Sequence, residues 1–447
     1  MELMDTTRRR LRRTVLDKQR TGRVPGVAAG VVRHGELVWH DGVGAADVAR
    51  PDVAPGRDDQ FLVASISKTF TAVMIMQLRD EGRLSLDDRL DRHLPGSPHG
   101  EVTLRQMLSH TSGIQREPVG DVWETLVWPD REQLVAGFAK AERVMAPHQR
   151  FHYSNLMYSL LGEVIARADG LEWGETLQRR LLDPLGMRRT TVGFDGARVR
   201  AYFVPPHTDV PVPEPDVDLG AMNACGGLAS TLDDLATWSG FVADPPAEIL
   251  SPDTLEEMCQ PQIMIDVERW VGAMGLGFFL VRRGTRVYVG HTGGMPGQIT
   301  GVFTDRESGT GGVVLMNSSV SPDPAGFAID LADLVVEDDP EEPEAWRPGT
   351  EVPDELVPLL GTWYSEGSPL VFSVRDGQLE ARSPDLPAHK PASVFEKVGD
   401  DVYRTVTGRE RGELLRVTRR EDGTVHKLSW ATYLVSREPL AFGQEPS

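Results

Sequence analysis

The chain has 447 residues, a formal charge of −20, 2 cysteines and 11 histidines, and 40% of its residues are hydrophobic. That length calls for two or three hydrophobic cores rather than one. The charge argues against nucleic acid or an anionic membrane surface as a partner, and no stretch approaches the roughly 18 consecutive apolar residues of a membrane span.

From the N-terminus, the basic run Thr6–Arg13 is not followed by the apolar segment of an export signal. It reads as a solvated helix in a cytoplasmic protein. Residues 24–44 read as two strands around an Arg33-His34-Gly35-Glu36 turn. Residues 66–81 are apolar nearly all round (Phe70, Val73, Met74, Ile75, Met76, Leu78) and stop before Gly82, which predicts a helix buried in a helical layer. Further helices are expected near 155–168, 171–181 and 231–243. Strands return over about 275–316, with a Gly284-Thr285 hairpin turn, and a helix near 323–336 closes the unit. Strands at both ends with helices between them predict an α/β fold in which helices flank an antiparallel sheet.

The acidic, proline-rich run over 337–355 has no periodicity and reads as a linker between a first domain, 1–336, and a second, 356–447. In that second part, alternating segments around Asp376-Gly377 and Asp422-Gly423 predict a small antiparallel β-barrel. Cys225 and Cys259 are expected as buried thiols, and they lack metal-ligand spacing.

Three short motifs carry the chemistry. In Ala64-Ser-Ile-Ser-Lys-Thr69, Ser65 and Lys68 share a face if Ser65 opens the helix, and Lys68 is one of only six lysines. A helix N-terminus favours developing negative charge, and burial among apolar neighbours favours the neutral amine, a base toward the serine hydroxyl. A capping serine with a snorkelling lysine explains the same spacing. In the second motif, Tyr153 and Asn155 precede a helix: a tyrosine beside an ammonium can relay a proton, and an asparagine amide can grip a carbonyl. A core tyrosine with a capping asparagine is the bland counterpart. In the third, His291-Thr292-Gly293-Gly294 follows a strand, where glycines allow close approach of a substrate backbone or simply make a turn.

The set S-x-x-K, Y-x-N and [KH]-T-G, in this order, resembles the penicillin-recognising serine enzymes: class C β-lactamases, DD-peptidases, and related esterases and D-aminopeptidases. The resemblance covers about residues 20–336. It implies Ser65 as nucleophile, Lys68 and Tyr153 sharing the proton work, Asn155 holding a substrate amide, and the N–H groups of Ser65 and Gly294 as oxyanion hole. It calls for no cofactor. His291 stands where β-lactamases carry lysine, which disfavours β-lactam hydrolysis; with Thr292 it is expected to orient a substrate carbonyl or carboxylate and help relay a proton.

Together with the barrel, the pattern looks like the stand-alone penicillin-binding-protein-type thioesterases with a lipocalin-like domain. That likeness implies head-to-tail cyclisation of a nonribosomal peptide thioester ending in a D-residue, delivered by a peptidyl carrier protein. A D-stereospecific aminopeptidase or esterase is the alternative, with a DD-carboxypeptidase or β-lactamase ranked behind it. The loop 204–218 is expected to overhang the site, the barrel to cap it, and Arg437 to face the peptide.

Overall fold

The structure is a computed structural model that describes residues 3–343, 345–349, 351–387 and 390–446. It divides into two compact units, residues 1–341 and 342–447.

In the first unit the N-terminal helix α1 (Asp5–Gly22) buries Leu11 and Val15 and leaves its arginines outside, so the basic run is one side of a packed helix. The hairpin of β1 (Gly26–Arg33) and β2 (Glu36–Gly44) turns through His34 and Gly35, both at positive φ. Strands β3 (Ile263–Met264), β4 (Gly272–Met274), β5 (Phe279–Arg283), β6 (Arg286–Met295), β7 (Gln298–Asp305) and β8 (Thr310–Met316) complete an antiparallel sheet. Its order is β2-β1-β8-β7-β6-β5-β4-β3, so the first hairpin docks on the last strand. β1 and β8 are buried along their whole length because both sheet faces are covered.

On one face, α1 and a C-terminal helix (Pro324–Asp338) enclose a core that includes Leu11, Val15, Phe303, Phe327 and Leu331. The other face carries the helical layer. Its centre is α2 (Ser67–Asp80), buried from Ser67 to Leu78, and around it lie α3 (Arg131–Gly137), α4 (Asn155–Asp169) and α5 (Leu232–Ala243). Phe70 stacks on Trp238 with centroids 3.7 Å apart, which joins α2 to α5. The helix begun at Pro324 runs to Asp338, two residues into the expected linker, and Arg33 donates to the carbonyl of Asp339 just beyond it.

The second unit is a closed barrel of eight antiparallel strands between Gly361 and Ser436. It closes where Tyr364 and Ser365 pair with Ser436 and Val435. Trp363, Phe372, Phe395, Leu428 and Trp430 fill the interior, as expected of a barrel this narrow. Both cysteines are free: Cys225 is buried, and burial raises the Cys259 thiol to about 11. Among the described residues no helix is long and apolar enough to cross a membrane.

Candidate active site

Ser65 lies one step ahead of where the helix pattern places it. It belongs to a 3-10 turn (Ala64–Ile66), and α2 begins at Ser67. Ala64 holds φ +50°, a left-handed conformation costly for a residue with a Cβ, immediately before the serine. Several contacts hold that turn. Ser67 Oγ donates to the Ala64 carbonyl at 2.6 Å and accepts from Leu228 N–H at 3.1 Å, while Val63 N–H donates to the Leu228 carbonyl at 2.8 Å.

β6 packs directly on this turn, and Gly293 is the reason it can. A Cβ at Gly293 would fall 2.0 Å from the Val63 carbonyl oxygen and 2.4 Å from Thr300 Oγ1. Gly294 is exposed and sits in register with Ile299. The third motif is therefore a strand end pressed against the serine turn, with its glycine set by backbone approach.

Lys68 is completely buried. Its Nζ donates to Ser65 Oγ at 3.1 Å, Asn155 Oδ1 at 2.8 Å and the Cys225 carbonyl at 2.6 Å. Three donors meet three acceptors, which satisfies the buried group and aims one of its bonds at the half-buried Ser65. Nζ also lies 4.8 Å from the Tyr153 ring centroid and 5.7 Å from that of Tyr158. The Tyr158 hydroxyl donates to the Leu108 carbonyl at 2.7 Å, and burial raises its pKa well above the ordinary phenol range, so it remains a neutral scaffold. Tyr153 is half-buried, stacked on His110 at 4.2 Å, with the Arg116 guanidinium 4.9 Å from its ring.

Asn155 opens α4 without capping it. Ser154 is the cap, its Oγ accepting from Met157 N–H at 3.2 Å, which leaves the Asn155 amide for the site. Its carbonyl faces Lys68, and its Nδ2 donates to Glu117 Oε1 at 2.6 Å. Glu117 bears no motif and is the site residue that the sequence analysis missed. Its contact with Asn155 spans 38 positions of chain.

His291 differs from expectation. It is buried, and its Nδ1 lies 2.6 Å from the Thr292 carbonyl, which makes Nδ1 the protonated nitrogen. Burial, with Lys68 as a second cause, lowers its pKa to about 3. Its remaining Nε2 is a buried acceptor without a partner among the described residues. It has no proton to offer a carboxylate or carbonyl, the part first expected of it. His110 is also buried and neutral in tendency, but of the opposite tautomer: its Nδ1 accepts from Ser154 N–H at 3.0 Å.

Arg437 is engaged within the barrel, its guanidinium 3.8 Å from the Trp363 ring centroid and donating to the Pro358 and Thr362 carbonyls. These contacts give it a structural role within the barrel. The 204–218 loop is likewise anchored, since Arg23 donates to the carbonyls of Pro205 and Thr208 near its tip. Among the described residues no three His, Cys, Asp or Glu side chains gather as a metal site.

Fold and constellation together define a beta-lactamase-like fold, that of a family of serine hydrolases, in which a buried lysine abuts a serine three residues before it. The chain belongs to the beta-lactamase family, whose model matches residues 11–337, and a domain of unknown function (DUF7586) matches 352–437. "Beta-lactamase-like protein 2" of Dictyostelium discoideum is 31% identical over 52% of this chain and 45% of its own length, so the chain spans less than half of that relative. "D-alanyl-D-alanine-carboxypeptidase/endopeptidase AmpH" of Escherichia coli (strain K12) is 27% identical over 64% of this chain and 78% of that one.

Among solved structures, the octameric penicillin-binding protein homologue from Pyrococcus abyssi superposes with TM-score 0.66 at 24% identity, covering 97% of this chain and all (100%) of that one. The D-stereospecific amidohydrolase from a Streptomyces species superposes with TM-score 0.61 at 26% identity, covering 73% of this chain and 97% of that one.

Proposed function

We propose that the chain is an acyl-enzyme hydrolase or acyltransferase that takes a peptide acyl group ending in a D-configured residue. Ser65 Oγ attacks the acyl carbonyl of an amide, ester or thioester when Lys68 is the neutral amine. That amine keeps two N–H bonds, to Asn155 and the Cys225 carbonyl, and takes the Ser65 proton on its lone pair, and the N–H groups of Ser65 and Gly294 receive the oxyanion. Tyr153 shares in returning the proton to the leaving group. Asn155, its carbonyl engaged by Lys68, offers the second N–H of its amide to a substrate carbonyl. The single observation that carries this reading is the 3.1 Å bond from a fully buried lysine to a serine hydroxyl. The D-configuration is supported by likeness to the Streptomyces D-stereospecific amidohydrolase.

The acceptor is the finer question. Paired peptidyl amides and thioesters ending in a D- or an L-residue, with products weighed against a Ser65→Ala control, test the whole reading. Ser65-dependent release of free acid from the D-series alone identifies a D-stereospecific hydrolase. A product lighter than that acid by one water identifies head-to-tail cyclisation, the reaction of a peptide delivered as a carrier-bound thioester. Turnover that survives Ser65→Ala, or equal turnover of both enantiomers, refutes the proposal.

A further inference from the structure

Beside the site lies a cavity of about 430 Å³, inside the range of small-ligand pockets. It opens between the segment 118–129 and α3, and two of its lining residues, Pro118 and Leu156, are the chain neighbours of Glu117 and Asn155. The cavity thus adjoins, along the chain, the network that ends at Ser65. Its floor is apolar and closed: Leu134, Phe138 and Leu156 are each 1% exposed. Its rim is apolar and open, with Val119 48% and Val127 70% exposed, and Trp128 set edge-on to Trp123 at 5.1 Å.

Most polar side chains around it are already used, while Asp121 is exposed at the rim. Asp130 and Gln133 close a capping box on α3, and Thr125 Oγ1 donates to the Asp121 carbonyl at 2.9 Å. Leu126 holds φ +55° at the turn that brings Val127 and Trp128 to the rim, a strained conformation for a residue with a branched side chain. A hollow with an apolar floor and few free polar groups, in the segment that follows Glu117, discriminates by burial of apolar area.

Resting on the proposed acyl-enzyme chemistry, we infer that this cavity is the subsite for a large apolar or aromatic side chain of the acyl donor, upstream of the residue that acylates Ser65. Three consecutive hydrogen bonds link Ser65 to Glu117, the residue before Pro118 in the cavity wall, which sets the cavity on the upstream side of the acylated residue within reach of a short extended peptide.

Gly137 offers the test. It lines the cavity from α3 in ordinary helical geometry, and a Cβ there meets nothing within 4 Å, so a larger side chain fills the hollow without a clash. The substrates are dipeptidyl p-nitrophenyl esters ending in D-Ala, preceded by Ala or by Phe. Wild type should show a Ser65-dependent burst of nitrophenol and a kcat/KM about tenfold or more in favour of Phe. That preference should shrink in Gly137→Ala and vanish in Gly137→Leu, with helicity and melting of each variant measured alongside; if the leucine variant does not fold, the alanine variant carries the comparison. No burst in wild type would refute the catalytic reading and this subsite with it. An intact burst with equal kcat/KM for both esters, or a Phe preference that persists as the hollow is filled, overturns the subsite alone.

Discussion

Lys68 Nζ reaches Ser65 Oγ at 3.1 Å from a position that solvent does not touch. Because two further bonds, to Asn155 and the Cys225 carbonyl, fix the amine, its direction toward the serine is built in before substrate arrives. Lys68→Ala should slow Ser65 acylation by about a thousandfold, measured as the burst rate with an activated ester. Lys68→Arg should not restore it, since a planar guanidinium neither fits the closed pocket nor gives up its proton.

Glu117 holds Asn155 through a 2.6 Å bond to a carboxylate that is itself 3.3 Å from Arg116. Without that bond the Asn155 amide is free to turn its carbonyl away from Lys68. Glu117→Ala should lower kcat by about tenfold or more, while Glu117→Gln, which keeps an acceptor oxygen, should retain most of it. Steady-state kinetics of the two variants, beside their melting temperatures, separates positioning from general loss of stability.

At the strand end, neighbouring glycines should behave differently. Gly293→Ala drives a methyl group into the Val63 carbonyl and should cost about 1–3 kcal/mol in denaturant unfolding, together with most of the activity, by pushing β6 off the serine turn. At Gly294 the nearest atom to a new Cβ is Ile299 Cδ1 at 3.4 Å, so Gly294→Ala should fold nearly as well as wild type. Any loss of activity there reads on the oxyanion position itself.

His291 sets a pH dependence of known sign. Its folded pKa of about 3 lies below the ordinary 6.5, so between these values the unfolded chain binds the extra proton. The folded state should therefore lose stability as pH falls from about 6.5 toward 3, at up to about 1.4 kcal/mol per pH unit for one group. His110, shifted in the same direction, adds to the slope. His291→Asn should flatten the acid limb of unfolding free energy against pH by about one proton, measured by urea denaturation across that range.

The motifs brought Ser65, Lys68, Tyr153, Asn155 and His291 together through the resemblance of their combined order to a known family, since each motif alone also reads as a cap, a core residue or a turn. Glu117 escaped notice since its partner is 38 positions away in a segment without periodicity. The main-chain carbonyl of Cys225, a partner of Lys68, has no side-chain signature at all. The neutral state of His291 depends on burial by Phe279 and on a bond to its own neighbour, neither visible in a linear pattern. In the barrel, turn residues such as Asp376 and Gly377 announced the hairpins, but closure rests on pairing Tyr364 with Ser436 across the whole unit.

Lys68 takes one of its three acceptors from the main chain, so that part of the site is inherited through the path of the backbone. A library at position 225 can exchange the thiol for a methyl or a hydroxyl and leave the lysine's anchor in place. Laboratory evolution of this scaffold therefore meets, beside the buried amine, a position limited by the room around a buried side chain and not by the lysine's anchor, and a cysteine-free variant for site-specific labelling can begin there with residues of similar size.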